Sequence, residues 1–274
     1  MKYFDDLHKL SVSFLAKEHS KALGNSEECR MFSHIHPSAE LLFVTSGEIV
    51  LHFQGRESEH ITAGRCALLF PFQPHAYDRC EGTEYFRVNF MPSLIQSFFA
   101  PNEKNMGERA VFSVNPAEYE PFFMTVRTGK LSYFKVKGFL YNIIGDYARQ
   151  IPFFKKSVDD NVLSKVVAYV NEHKSEALTI KGTAQALGYN EKYLSRCVNQ
   201  SAGFGFSTLV SMLRMEAASY LLKNTSRTIV DIALECGFGS ERTFYRQFKE
   251  QTGMTPREYR ESVPKLPTVN DAVL

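Results

Sequence analysis

One pattern occurs twice in the last third of this 274-residue chain, and it restricts the fold more than any other feature. Thr179-Ile180, Ala184, Gly188-Tyr189, Arg196 and Gly203 are answered by Thr228-Ile229, Ala233, Gly237-Phe238, Arg246 and Gly253. The offset is 49 residues up to the Gly-aromatic pair and 50 from the arginine onward, so the second copy carries one extra residue in or just after its turn. Each copy reads as a short helix, a glycine turn and a second helix. The small Ala184 and Ala233 suit a close helix crossing. Gly188 and Gly237 suit a positive φ that ends one helix and redirects the chain. Asn190 and Ser240 are good N-caps for the helices that follow. There Leu194 and Val198, and Phe244 and Phe248, stand at i and i+4 as a buried stripe.

The opposite faces carry Lys192, Ser195, Arg196 and Asn199 in the first copy, and Arg242, Tyr245, Arg246 and Lys249 in the second. A charged stripe on one helix is ordinarily a solvated face; two copies in register, each with turn, cap and buried pair, point to recognition of a charged partner. Between the copies, Leu209, Leu213, Ala217 and Leu221 at four-residue steps predict a linker helix over Phe206–Lys223. At 1.5 Å per residue this helix is about 27 Å long. That is enough to hold two hairpins roughly one DNA turn apart, so that both enter successive major grooves on one side.

The stretch Leu178–Arg260 resembles the DNA-binding domain of the AraC/XylS family of bacterial transcription regulators. The specific part is its closing run: Ile232-Ala233, Gly237-Phe238, Phe244, Arg246-Gln247-Phe248-Lys249, Gly253, Thr255-Pro256 and Tyr259-Arg260. The first hairpin departs from the family pattern, with Cys197-Val198-Asn199 in place of an apolar-Phe-Lys run. The resemblance implies base-reading positions at Lys192, Ser195 and Arg196, and at Glu241, Arg242 and Arg246. Lys249 and the helix starts are expected on phosphate, and Asn199 completes the candidate DNA-binding set. Arginine and lysine reach guanine O6 and N7, and a glutamate accepts from cytosine N4 or merely caps its helix.

The front of the chain reads differently. Glu40–Thr45, Ile49–Phe53, Cys66–Phe70 and Tyr85–Phe90 are short apolar runs separated by Gly47, Gly55, Gly64, Pro71 and Pro74, the signature of a sandwich or barrel. In Glu48–Gln54, Ile49, Leu51 and Phe53 alternate with Val50, His52 and Gln54, which predicts a half-buried strand. Helical patterns follow at Ser93–Ala100, Pro116–Arg127 and Lys130–Gln150. The last has an apolar surface (Phe134, Phe139, Tyr141, Ile144, Tyr147) wider than one stripe, and is expected either to pack under the barrel or to form a dimer contact. His34-Ile35-His36, Glu40, Gly47, Gly64, Pro71 and His75 resemble the cupin barrel, although His75 is one residue out of the usual spacing. The resemblance implies that His34, His36, Glu40 and His75 line an effector site; they are equally the candidate ligands if a divalent transition metal is held. In barrels of AraC-type regulators the equivalent residues commonly bind a small molecule, often a sugar, without metal. His52 and His60 are read as surface histidines; Phe43, Phe53, Phe72, Tyr77 and Phe86 are read mostly as core.

The expected fold class is therefore α+β in two domains. Residues 1–151 form a cupin-like β-barrel with trailing helices, 152–160 a linker, 161–263 an all-α tandem helix-turn-helix domain joined by a linker helix, and 264–274 a tail. Composition permits this: hydrophobic residues are 44% and charged residues 23%, and the net charge of +2 neither requires nor excludes nucleic acid. No apolar run approaches the roughly 18 residues of a membrane span. Asp5 and Asp6 interrupt any signal-peptide pattern, and five scattered cysteines (Cys29, Cys66, Cys80, Cys197, Cys236) form no CxxC pair, so a reducing cytoplasm is expected. The expected partners are double-stranded DNA, a small-molecule effector, a second copy of the chain and, through the family resemblance, RNA polymerase; no membrane partner and no obligatory cofactor are expected. The alternatives are a metal-dependent cupin enzyme or sensor with a helical appendage, which would carry stoichiometric metal, and a constitutive DNA binder, whose barrel no metabolite would stabilise.

Overall fold

The computed structural model describes residues 10–15, 30–80, 82–128 and 133–262. Asp5, Asp6, Cys29, Lys130 and the tail 264–274 lie outside them. The front half is two facing antiparallel sheets. One orders β1 (Leu10–Leu15), β8 (Glu84–Phe90), β3 (Ala39–Ser46), β6 (Arg65–Leu69) and β10 (Val111–Ser113); the other orders β2 (Arg30–His34), β7 (His75–Arg79), β4 (Glu48–Phe53) and β5 (Glu59–Thr62).

Strand alternation sorts the side chains. From β3, Leu42 and Val44 point into the barrel to meet Ile49 and Leu51 of β4, Ala67 and Leu69 of β6, and Tyr77 and Tyr85. Leu41 and Phe43 point outward and are buried as well, because helices cover that face: Phe123 stacks on Phe43 at 4.5 Å and on Phe86 at 4.2 Å. A strand buried on both sides must be continuously apolar, which explains the unbroken LLFV run. The other sheet keeps its outer face in water. There His52 bonds Asp78 at 2.8 Å and His60 bonds Glu48 at 2.6 Å.

Beyond the barrel come a 3₁₀ turn (Pro92–Ile95) running into α1 (Gln96–Phe99), then β9 (Asn105–Gly107), α2 (Pro116–Thr128) and α3 (Tyr133–Gln150). Helix α3 buries Phe139, Ile144 and Tyr147 against the outer barrel face, while Phe134 and Tyr141 remain 75% and 46% exposed. The stretch 152–160 contains β11 (Phe153–Lys155), paired antiparallel to β9, and then the start of α4 (Val158–Glu172). A capping box opens α4: Ser157 accepts from the Asp160 amide while the Asp160 side chain accepts from the Ser157 amide.

The helical domain continues with α5 (Ile180–Leu187), α6 (Glu191–Ala202), α7 (Phe206–Asn224), α8 (Ile229–Glu235), α9 (Glu241–Thr252) and α10 (Pro256–Ser262). Its two hairpins share their opening caps and turn hydrogen bonds. Thr179 accepts from the Gly182 amide and Thr228 from the Asp231 amide. The amides of Tyr189 and Phe238 return to Ala184 and Ala233 at 2.8 and 2.9 Å. Asn190 and Ser240 cap α6 and α9, and the extra residue of the second copy is Gly239, inserted before its cap. Asn190→Ala should cost about 1 kcal/mol of stability, read as a lower urea midpoint at unchanged m-value.

Helix α7 belongs to both hairpins. Leu209, Val210 and Leu213 enter the core of the first with α4 and α6, whereas Met215, Ala218 and Leu222 enter that of the second with α8 and α9. Two cores sharing one helix cannot rotate independently without opening one of them, so the linker acts as a rod rather than a tether.

Candidate functional site

Lys192, Arg196 and Asn199 on α6, and Glu241, Arg242, Arg246 and Lys249 on α9, are all exposed, with Ser195 half-buried. Each set lies opposite the buried pair of its own helix, Leu194 with Val198 and Phe244 with Phe248. The side chains are not equally available. Asn199 Nδ2 donates to the Ser195 carbonyl at 2.8 Å, and Arg246 is paired with Glu250 one turn on at 3.0 Å. The Arg196 guanidinium lies 5.2 Å from the centre of the Tyr193 ring, a stacking that holds it extended without consuming its donors. Cys197 and Val198, where the first hairpin departs from the family pattern, are core residues; the Cys197 thiol donates to Asp159.

The other predicted set also converges. Donor atoms of His34, His36, Glu40 and His75 lie within 4.8 Å of one another at one end of the barrel. The strands explain why: His34 and His75 are cross-strand partners on β2 and β7, and Glu40 shares the inward face of β3 with Leu42. The Nδ1 atoms of His36 and His75 each stand 2.8 Å from a backbone carbonyl, that of Ser38 and of Gln73, so their Nε2 atoms turn inward. Among the described residues, His36 Nε2, His75 Nε2 and both Glu40 oxygens are buried without a hydrogen-bond partner, although His36 Nε2 stands 3.4 Å from Glu40 Oε2. Burial alone would disfavour the His36 imidazolium, but Glu40 and then Glu216 of α7 outweigh it and carry its pKa up to about 9. The same partnership with His36, aided by Arg87, holds Glu40 well below the usual carboxylate range despite its burial. Burial, reinforced by His34 and His36, keeps His75 neutral.

Three comparisons bear on these two sites. Residues 25–116 match the model of the AraC-like ligand binding domain, and residues 183–262 match a helix-turn-helix domain model, together more than half of the chain. The chain belongs to the AraC family. This AraC-family chain is 35% identical over 109 residues to an uncharacterized HTH-type transcriptional regulator of Staphylococcus aureus (strain MSSA476), covering 40% of the chain and 15% of that protein. It is 34% identical over 118 residues to the uncharacterized HTH-type transcriptional regulator YisR of Bacillus subtilis (strain 168), 43% of the chain and 40% of YisR. It thus spans less than half the length of either relative. Its fold is that of ToxT from Vibrio cholerae, with a TM-score of 0.67 at 16% identity over 93% of this chain and 99% of ToxT.

In this AraC-family chain the barrel site adjoins the helix-turn-helix half. Ile35, between the two motif histidines, is buried in the core of the first hairpin, and Phe72 packs against the same core. Phe72 is the non-glycine residue with positive φ, at 61°, among the described residues, a strained conformation held by its amide bonding the His36 carbonyl at 2.9 Å. Glu216 and Tyr259 from the helical domain are close enough to His36 and Arg87, respectively, to act on their charge. Ile35, Arg87 and Glu216 carried no site expectation from the sequence, and Phe72 was expected only as a core aromatic. Glu216 left one signal, a carboxylate one turn beyond Leu213 on a helix otherwise read as apolar.

The donor set fits a divalent transition metal. Three imidazoles and one carboxylate suit zinc, iron or manganese, carbonyl-anchored Nδ1 atoms are the usual outer shell of ligating histidines, and bonds of about 2.0–2.2 Å need only small closure of the cluster. Such an ion would supply positive charge between Glu40 and the histidines. No described helix is long and apolar enough to cross a membrane.

Proposed function

We propose that the chain is an effector-responsive transcription regulator whose two hairpins read a promoter in successive major grooves while the histidine end of the barrel takes the effector. The observation carrying this reading is the pair of capped hairpins built on one shared helix, each presenting basic and polar side chains away from its core. Lys192, Ser195, Arg196, Glu241 and Arg242 are its proposed base readers. Lys249 is its phosphate contact, and Asn199 and Arg246 are positioning groups because their side chains are already engaged along their own helices.

The barrel lumen is filled by Leu42, Val44, Leu51, Leu69 and Tyr77, which leaves the His34, His36, Glu40 and His75 end as the place where an effector acts. That end is covered by the DNA-binding domain, the layout of a switch more than of a catalytic mouth. ToxT has been solved with an unsaturated fatty acid bound, which supports a small-molecule effector for a protein of this fold. Cytoplasmic location, contact with RNA polymerase and a homodimer through the exposed Phe134 and Tyr141 edge of α3 complete the reading.

The test is selection of genomic fragments by purified protein at two stated salt concentrations. A regulator enriches one motif with two elements about 10 base pairs apart, and its affinity falls steeply as salt rises. Equal retention of all fragments defeats the reading.

A further inference from the structure

The second hairpin holds a cleft at a place that the first hairpin fills. It has a volume of about 180 Å³ and is lined by Ser207, Ser211 and Arg214 of α7 and by Thr243 and Gln247 of α9. Buried Val210 and Phe238 form its floor, and exposed Ser207 and Gly239 its rim. That is room for roughly six waters, and less than the roughly 300 Å³ at which pockets for organic ligands begin. The lining is rich in uncommitted donors. Among the described residues, the hydroxyls of Ser207 and Ser211 and the carboxamide of Gln247 bond no other group. Arg214 spends Nε and Nη2 on the Lys174 and Glu176 carbonyls, at 2.9 and 2.7 Å, and keeps Nη1. Its charge faces no carboxylate partner among the described residues. The internal repeat supplies a control. At the 50-residue offset, Thr243 and Gln247 correspond to Tyr193 and Cys197. There Tyr193 lies against Tyr189, ring centres 5.8 Å apart, and the buried Cys197 thiol donates to Asp159 of α4 at 3.1 Å. The first copy closes the place with aromatic surface and a carboxylate; the second leaves it open, polar and positive.

We propose that this cleft is a seat for one phosphate group, with Arg214 supplying the charge and Ser207, Ser211 and Gln247 the hydrogen bonds. A guanidinium already held by two carbonyls loses little further freedom on binding, and charge-assisted bonds to phosphate are about twice as strong as neutral ones. On α9, Thr243 and Gln247 each follow a member of the outward basic face, Arg242 and Arg246, by one step of about 100° round the helix. The cleft therefore opens on the flank of that face, where the sugar-phosphate strand bordering a major groove passes a helix lodged in it. In this arrangement α7 does more than space the hairpins: it grips the duplex itself, at the second hairpin and not at the first. With DNA as the source of the phosphate the seat rests on the regulator reading; free inorganic phosphate uses the same donors and does not.

Two titrations of the full-length protein separate the sources. In the first, the selected DNA fragment is made with one neutral methylphosphonate at each position in turn, and wild type is compared with Gln247→Leu and Ser211→Ala. Gln247→Leu is expected to weaken binding to the selected fragment and to unrelated DNA alike, by about 10-fold, as loss of a hydrogen bond to a charged group does. One methylphosphonate should weaken wild type by a similar factor and leave Gln247→Leu unaffected, the coupling of a direct contact. Ser211→Ala, a mild change on a helix, should show the same coupling in smaller degree. In the second, inorganic phosphate is added at constant ionic strength without DNA, and the amide resonances of Gly237 and Gly239 are followed by NMR. A saturable shift that Gln247→Leu loses establishes the seat with the free ion as its ligand, and does so even for a protein that selects no DNA fragment and so fails as a regulator. Coupling without that shift makes backbone phosphate the ligand. Methylphosphonate losses identical in all three proteins, together with no saturable phosphate shift, overturn the proposal.

Discussion

Arg196→Ala combined with Arg242→Ala is expected to lower affinity for the selected DNA site by about 2–6 kcal/mol, roughly 30-fold or more, if each arginine contributes the 1–3 kcal/mol usual for a bidentate base contact and the two add. Additivity is reasonable because the residues sit on α6 and α9, in separate cores. Both are exposed, and neither replacement removes a buried contact, so the thermal midpoint should barely move. The measurement is a binding isotherm on the selected fragment and on two fragments altered by one base pair each. Base readers lose discrimination at one position per arginine while weak binding to unrelated DNA persists. Equal weakening on every fragment would reassign both to phosphate. Arg246→Ala should cost less, since Arg246 must first leave Glu250.

Gly237→Ala is expected to be the most damaging single methyl in the helical domain. Gly237 has φ of 81°, which costs an alanine about 1–2 kcal/mol. Space is the larger difficulty. A Cβ there would fall 2.0 Å from the Lys174 carbonyl oxygen and 2.8 Å from Arg214 Nε. That carbonyl is held in place by Arg214, whose Nε bonds it at 2.9 Å while its Nη2 is anchored on the Glu176 carbonyl at 2.7 Å. Overpacking of this kind adds about 1–3 kcal/mol, for a total of roughly 2–5 kcal/mol. Gly188, at the same turn of the first hairpin, has nothing within 4 Å of its Cβ position, so Gly188→Ala bears only the conformational cost. Denaturant unfolding of the two variants should rank them in that order; equal losses would mean that the Lys174 contact yields easily.

Four apolar runs read from the sequence lie within a residue of β3, β4, β6 and β8, because strands facing a core announce themselves by hydrophobicity. Strands β2, β5 and β7 were not legible. In β5 and β7 polar, half-exposed residues interrupt the apolar pattern, and His75–Arg79 in particular has the composition of a loop. The wide apolar surface of α3 was read as needing more than one neighbour. The barrel takes Phe139, Ile144 and Tyr147, while Phe134 and Tyr141 stay on the surface. The candidate sites divide in the same manner. The resemblance to the cupin motif pointed to His34, His36, Glu40 and His75, and no local pattern linked them to residue 216, some 140 positions further along.

The order of the residues alone determined the two hairpins, since caps, glycine turns and i, i+4 stripes are short-range devices whose energies lie within a few turns of chain. It also determined the chemistry of the basic faces and the presence of a histidine and glutamate set. Only tertiary structure decided that Ile35 and Phe72 pack into the first hairpin's core, that Arg214 closes over Gly237, and that Glu216 lies near enough to His36 to act on its charge. Those contacts join residues far apart in the chain. Their positions depend on how barrel and helices pack, and packing leaves no periodic mark on a single sequence.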